Sequence, residues 1–558
     1  MPPTATIANA LWTASNLPAW RRFRRALVEP RAAQRRKLQD LIERNTDTAF
    51  GKMHQFSAIR SYEEFERCVP LSDYAGFEPW IERIRQGEKN LLTHEAVTHL
   101  VPTSGSTGSR KLIPFTAELQ REFNAAIGPW LVDLVRQSPG LLGGPSYWSI
   151  TPVMENATPE SSVVPIGFET DTAYLGGGRR KLAETVMAVP SSVAHSKSLD
   201  EFRYQTLLHL LACRELRLIS VWHPSFLALL FDVLPGLWKH LLTDVERGSP
   251  SIPARRRRAE ELAAADPLKP ETLWPELRVI SCWGDGAASL AVRDLQGRLP
   301  RARFQHKGLI ATEAFVTLPF RERHPLAVCS HFFEFIDPDG RVLPMDCIRE
   351  DTEYEVVVTN GGGLWRYRLG DRVKVNGWVG RTPSLKFLSR GGGVSDRFGE
   401  KLSEDFVAES LVELFAGDTP RFALLAPDED ASGCRYTLYI EREALEREAR
   451  PHWAAKLDRT LCRNPHYAYC RRLGQLLPPR LFLVEKRGFE TFAQHEAAPG
   501  ARLGDLKPVA LSMKSGWSKI FAGTYVDDST EFHEGCHGLS RAGTGNVTGS
   551  ASEKARLY

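Results

Sequence analysis

The chain has 558 residues, 42% of them apolar and 25% charged, a composition that suits about two to four soluble globular domains. With 72 basic and 68 acidic residues the formal net charge is +4, too balanced for a protein whose main partner is nucleic acid. The nine cysteines, scattered from Cys68 to Cys536 without a CxxC pair, exclude a disulfide framework and a zinc ribbon and point to reduced, cytoplasmic thiols.

Met1 to Pro18 lacks the basic start and apolar core of a secretory signal. Residues 8–45 predict helix, with Leu11, Trp20, Phe23, Leu27, Leu38 and Leu41 forming an apolar stripe between arginines, and Pro30 dividing the stretch. Such a basic amphipathic element could touch a membrane. Packing against a large domain is the simpler expectation. Residues 46–100 predict short helices and turns, including a capping box with Ser61 as N-cap and Glu64 three residues on.

Between Leu100–Val101 and Leu112–Ile113 lies Thr103–Ser104–Gly105–Ser106–Thr107–Gly108–Ser109–Arg110–Lys111. Apolar pairs on both sides predict a loop between two short strands. Glycines let successive backbone N–H groups converge, hydroxyls add donors, and Lys111 adds a charge-assisted contact, so the loop suits a polyphosphate. It is not a Walker loop, because Arg110 stands where a glycine should precede the lysine. Composition alone also allows a solvated Ser/Gly linker, but a linker does not explain a lysine set directly before an apolar pair.

Farther on, residues 118–137 predict helix, which Gly128–Pro129 should kink or split. Tyr147–Val153 reads as a strand, and 197–265 as mostly helical. Ile219–Trp238 is the most apolar stretch, but His223, Pro224, Asp232 and Pro235 speak against a membrane span. Arg255–Arg258 precede Glu260 and Glu261 and read as a solvated helix face. Leu277–Trp283 is a strand ending in Gly284–Asp285–Gly286; Ser289 occupies the last glycine position of GxGxxG and no acid follows at ribose spacing, so a dinucleotide turn is set aside. A second strand-then-acid segment runs from Arg303 to Thr312–Glu313. Residues 327–375 predict strands with turns at Asp337–Gly340 and Asn360–Gly363. They end at Asp371, a carboxylate just beyond a strand end that could bind a ribose diol or simply cap a turn. Ser389–Gly393 marks a domain boundary. Beyond it the order of elements is that of a small α+β domain, and the Gly/Ser/Thr-rich tail from Gly535 is expected to be disordered.

Taken in order, Thr103–Lys111, Thr312–Glu313, Tyr367–Asp371, Arg390 and Gly399–Glu400–Lys401 resemble the acyl-adenylating superfamily. With Thr46–Gly51, Val69–Pro70–Leu71, Ile166–Glu169, Val221–Ser225, Lys307–Glu313 and Phe398–Leu402, the chain more closely resembles the Gretchen Hagen auxin-responsive family of acyl acid amido synthetases, and looks similar to its bacterial-type members along nearly the whole length. The resemblance implies an α/β fold with a luciferase-like N-terminal adenylation domain of mixed sheets and helices (1–390), a small α+β C-terminal mobile domain (391–534) and a tail (535–558).

It also implies ATP-dependent activation of a small carboxylic acid to acyl-AMP, then transfer to an amine or amino acid, with ATP and Mg²⁺ as cofactors. No nucleic-acid partner and no stable membrane association is expected. Thr103, Ser104, Gly105, Ser106, Thr107, Gly108 and Lys111 would hold the phosphates. Thr312 would contact the α-phosphate, Glu313 would act through Mg²⁺, and Asp371 and Arg390 would bind the ribose. Lys401 would approach from the hinge side. Lys507 matches the swinging C-terminal lysine, with Lys514 and Lys519 as rivals. Two departures from the family pattern stand out: Leu309 replaces the adenine-stacking tyrosine of many plant members, and Ser389 with Gly391–Gly392–Gly393 replaces the usual glycine and acidic residues of the hinge. An acyl-CoA ligase and a non-catalytic acid-binding protein on the same scaffold are the alternatives.

Overall fold

The structure, a computed structural model, describes residues 3–103, 111–149, 162–167, 182, 184–285, 288–390, 394–415, 420–430, 432–441, 450–496 and 509–526. Two helices, α1 (Pro3–Ala26) and α2 (Pro30–Arg44), open the chain. Proline at the first position of α2 is favourable there, because that N–H lacks an intrahelical partner in any case. Trp20, Phe23, Leu27, Leu38 and Leu41 are buried as the stripe predicts, but Leu11 faces out at 55% exposure. Short helices follow: α3 (Ala49–Met53), α4 (Tyr62–Cys68) and α5 (Tyr74–Arg85).

The helix α6 (Ala117–Gln137) runs unbroken through Gly128–Pro129, so the pair does not split it. The reason is packing. A Cβ at Gly128 would lie 2.9 Å from Asn16 Oδ1 and 3.1 Å from Ala19 Cβ, so the glycine serves the close approach of α1 to α6.

Before α6, β1 (His99–Pro102) and β2 (Leu112–Phe115) form an antiparallel hairpin. A four-stranded parallel sheet then runs in the order β3 (Ser146–Trp148), β4 (Leu218–Ser220), β5 (Val279–Cys282), β6 (Arg303–His306). Helices Leu199–Ala212, Pro224–Arg247 and Ala288–Arg298 lie in its crossovers, as parallel strands require. The region read as mostly helical therefore also contains β4. Pro224–Arg247 is long and apolar enough to cross a membrane by length and composition, yet Leu227, Leu230, Phe231, Leu234, Leu241 and Val245 are buried in the protein core. Arg258 corrects the solvated-face reading of Arg255–Arg258: it is buried, and its guanidinium donates to the carbonyls of Leu211 and Leu273.

A five-stranded antiparallel sheet follows, in the order β11 (Thr382–Arg390), β10 (Tyr367–Val379), β9 (Glu353–Thr359), β7 (Phe332–Ile336), β8 (Val342–Pro344). Beyond residue 394 the pair β12 (Val394–Ser395) and β13 (Leu402–Ser403) leads to helix Glu404–Leu414 and to a sheet of β14 (Phe422–Asp430), β15 (Gly433–Glu441), β16 (Arg480–Val484) and β17 (Gly523–Tyr525). This sheet carries its own apolar clusters on residues 402–521. The tail 535–558 lies outside the described residues.

Phe23 is 1% exposed and meets Phe320 edge-on at 5.4 Å, tying the first helix to the main core. Replacing it with alanine leaves a cavity, and we expect Phe23→Ala to cost about 3–5 kcal/mol, read as a lowered urea midpoint with an unchanged slope.

Candidate active site

The base of the hydroxyl-rich loop is a closed hairpin end. Thr103 N–H donates to the Lys111 carbonyl at 2.9 Å, and Pro102 faces Leu112 across the ladder. Ser104, Gly105, Ser106, Thr107 and Gly108 lie outside the described residues. Thr103 is buried, and its Oγ1 has no hydrogen-bond partner among the described residues. Lys111 is half-buried with Nζ 5.7 Å from the Tyr74 ring centroid, and Tyr74 Oη accepts from Leu112 N–H at 2.9 Å.

Thr312 and Glu313 are the two central residues of a tight turn. Ala311 N–H donates to the Ala314 carbonyl at 2.9 Å, and Ala314 N–H returns a bond to the Ala311 carbonyl at 3.3 Å. Thr312 is half-exposed and Glu313 is buried. A carboxylate and a hydroxyl on one turn are hard-oxygen donors that fit Mg²⁺. No group of three or more metal-ligating side chains occurs among the described residues. A magnesium ion here would therefore draw most of its ligands from phosphates and water, which is its usual preference.

Asp371 and Arg390 sit directly opposite each other across β10 and β11. Asp371 corrects one expectation: it is not beyond a strand end but inside β10, where the register with β9 shifts between Arg368 and Arg372. Gly370, at φ 76°, makes that irregularity possible. Asp371 is 3% exposed. Lys401 is exposed, at φ 45°, and its carbonyl accepts from Asn464 Nδ2. The neighbouring Glu400 carboxylate accepts from the N–H groups of Arg397 and Phe398 and from Tyr436 Oη, fixing this turn to the C-terminal sheet. Lys507 lies outside the described residues. Of its rivals, Lys514 pairs with Glu496 at 2.8 Å and Lys519 is exposed.

What joins these segments is the turn Asn360–Gly363. Asn360 Nδ2 donates to the Glu313 carbonyl at 2.7 Å, and the Gly361 carbonyl accepts from Thr116 Oγ1, just past β2, at 2.9 Å. A Cβ at Gly361 would lie 2.3 Å from Glu118 Cγ, and Gly363 has φ 95°, so both positions demand glycine. Beneath the turn, Glu122 Oε2 accepts from Gly361 N–H and from His331 Nδ1, both at 2.9 Å, and Lys37 Nζ lies 2.6 Å from Oε1. His331 Nε2 accepts from Phe315 N–H at 3.0 Å. The imidazole proton therefore sits on Nδ1, and the ring links Glu122 to the Thr312–Glu313 turn. None of Lys37, Glu122, His331 or Asn360 stands out as functional from spacing. The available signal is an acid, Glu122, placed three residues after Leu119 on the apolar face of α6.

Burial pushes the Glu122 carboxyl up, but the Lys37 ammonium and the hydrogen-bonded His331 more than offset it and hold the group below its ordinary value of 4.5. The folded state then binds this proton less tightly than the unfolded chain, so the stabilisation is present above pH 4.5 and fades as the pH falls below it. Glu122→Gln should cost about 2 kcal/mol. The difference in urea midpoint between the two proteins should persist above pH 4.5 and shrink below it.

The architecture is one shared with a solved acyl acid amido synthetase: the AtGH3.15 enzyme in complex with 2,4-DB superimposes with a TM-score of 0.79 over 91% of this chain and 96% of that one, at 17% identity. Sequence comparison goes further. The GH3 family N-terminal domain matches residues 19–300, the GH3 family central domain residues 324–390 and the GH3 family C-terminal domain residues 408–515. The chain belongs to the GH3 family. Among curated relatives, the jasmonoyl–L-amino acid synthetase JAR4 of Nicotiana attenuata is 26% identical over 399 residues, covering 64% of this chain and 68% of its own length. The probable indole-3-acetic acid-amido synthetase GH3.12 of Oryza sativa subsp. japonica is 23% identical over 566 residues, covering 88% and 92%.

Proposed function

We propose that this protein is an ATP-dependent acyl acid amido synthetase. It joins a small carboxylic acid to the amine of an amino acid through an acyl adenylate. The observation that carries the reading is that one buried turn, Asn360–Gly363, is bonded both to the end of the β1–β2 hairpin and to the Thr312–Glu313 turn, while the strand β10 that follows it carries Asp371 opposite Arg390. Family membership and the names of the relatives support it.

In the first step a carboxylate oxygen attacks the α-phosphorus of ATP, the bond to the β-phosphate oxygen breaks, and pyrophosphate leaves. In the second step the amine nitrogen attacks the acyl carbon, AMP leaves, and the amine gives up a proton. Neither step needs a protein nucleophile. The work is positioning and charge stabilisation. Thr103, Ser104, Gly105, Ser106, Thr107, Gly108 and Lys111 hold the triphosphate. Thr312 contacts the α-phosphate, and Asp371 and Arg390 bind the ribose hydroxyls. Glu313 holds Mg²⁺, which when bound supplies positive charge to the phosphates. Residues 1–390 form the adenylation domain, and residues 391–534 move on the glycine hinge, bringing Lys401 and Lys507 toward the nucleotide.

The test is acid-dependent ATP–pyrophosphate exchange across aryl and alkyl acids, followed by product analysis with amino acids and with coenzyme A as acceptors. Amide formation is expected, and absence of exchange with every acid overturns the reading. Glu313→Gln should lower turnover about tenfold or more, a barrier increase of roughly 1.4 kcal/mol, with weakened Mg²⁺ dependence. Asp371→Ala should mainly raise the KM for ATP, since a ribose contact is largely uniform binding.

A further inference from the structure

At the C-terminal ends of the parallel strands the structure holds a cation in unusual surroundings. Lys307 follows β6 directly and is 4% exposed. Its Nζ donates to Ser220 Oγ at 2.7 Å, at the end of β4. Three indole rings surround it, with centroids 4.8 Å (Trp130), 5.7 Å (Trp148) and 5.3 Å (Trp222) from Nζ. No carboxylate pairs with it among the described residues, and the titratable group acting on it is the Cys282 thiol, which burial raises to about 12 and so keeps neutral.

Two of the walls are fixed. Trp130 Nε1 donates to Gln305 Oε1 at 2.8 Å, Trp148 Nε1 donates to Ser146 Oγ at 3.0 Å, and the two rings meet edge-on at 5.6 Å. Trp222 is 42% exposed and forms the outer wall.

An ammonium away from water is costly unless charge or hydrogen bonds compensate it. Ring faces and one hydroxyl stabilise it only in part, since a cation over an indole gains about 2 kcal/mol when desolvated. Such a cation, at the carboxyl ends of parallel strands where open α/β sheets bind their ligands, is an anion receptor with flat apolar walls. Lys307 also heads the loop whose other end carries Thr312–Glu313, so a ligand held here lies along the segment that serves the nucleotide. We propose that Lys307, with Ser220 and the three tryptophans, is the acid-binding pocket and selects arylcarboxylates, the ammonium taking the carboxylate and the indoles the ring. This assignment rests on the adenylation reading above, to which it adds the substrate class. Burial pulls the Lys307 ammonium down to about 7, so binding the anion is coupled to keeping a proton on Nζ.

Binding can be measured without ATP by quenching of tryptophan fluorescence, with benzoate and phenylacetate as probes and benzamide as the neutral control. The carboxylates should bind about tenfold or more tightly than the amide. Their advantage should shrink as the pH rises above about 7, while amide binding stays flat. Lys307→Met should reduce carboxylate affinity to the level of the amide, and Trp222→Ala, at an exposed ring, should weaken both. A folded Lys307→Met protein that binds carboxylates as the wild type does overturns the proposal. If that variant does not fold, unchanged binding in Trp222→Ala overturns it, as does an absence of binding by all three probes. Pyrophosphate exchange separates the two readings. Exchange with acids whose KM is unmoved in Lys307→Met sinks the pocket and leaves adenylation standing, whereas Lys307-dependent binding without exchange sinks adenylation and leaves the pocket.

Discussion

The buried carboxylate of Glu122 is the constraint on which the N-terminal part of the molecule depends. It orders four groups: directly the Lys37 ammonium, the His331 Nδ1 proton and the Gly361 N–H, and through His331 the Phe315 N–H. Removing the charge would leave a lysine with only Glu118, 3.1 Å away, for compensation and a backbone donor in the core without a partner, and buried donors are expensive to orphan. Because Gly361 lies in the Asn360–Gly363 turn and Phe315 directly follows the Thr312–Glu313 turn, the same interaction that stabilises the fold also fixes the spacing between those two turns. The outlying helix α2 supplies the lysine, which explains why the N-terminal helices are bound so closely to the core by Phe23, Leu38 and Leu41.

Much of this is local enough to be read from sequence. The hairpin around Thr103–Lys111 follows from two apolar pairs flanking a run of hydroxyls and glycines. The turn at Asn360–Gly363 and the strands on either side of it follow from glycine placement and alternation. The pairing of Asp371 with Arg390 does not, because register across a bulged strand depends on Gly370 and on the neighbouring β9. Glu122 looks like one more polar residue in a helix until His331, more than two hundred positions away, closes on it. Gly128–Pro129 does not split its helix for a related reason: propensity speaks of the isolated helix, whereas the glycine answers to Asn16 and Ala19 on another one. Lys307 is invisible in the same way, since its three tryptophans come from α6, the end of β3 and the segment after β4.

Lys37 and Lys307 make an instructive contrast. Both are ammonium groups in the interior. Lys37 is answered by Glu118 and Glu122, and its proton is held more tightly than usual despite burial. Lys307 is answered by a hydroxyl and ring faces, and its proton is held less tightly. The first arrangement is complete within the chain and reads as architecture. The second lacks an anion among the described residues, and a protein that keeps an incompletely compensated cation at the edge of its parallel sheet gains most if a ligand supplies the missing charge.

The position of Trp222 connects this pocket to the C-terminal lobe. The next residue, His223, stacks on Phe489 at 6.4 Å, and Arg203, buried in the same helical layer, pairs with Glu490. Both partners belong to the helix Gly488–Glu496 of the C-terminal lobe. If that lobe rotates between the two half-reactions, as proposed, this contact is among those that must break. Separating the pair leaves Arg203 with Asp200 and Glu490 with Arg487, each 3.7 Å away, so the cost of the movement is set by how far those second partners and water replace the buried contact. Release becomes affordable only when Glu490 and Arg203 both reach water or new partners. The exposed wall of the pocket and the lobe contact are consecutive residues in one loop, so occupancy of the first and rupture of the second act on the same few backbone bonds.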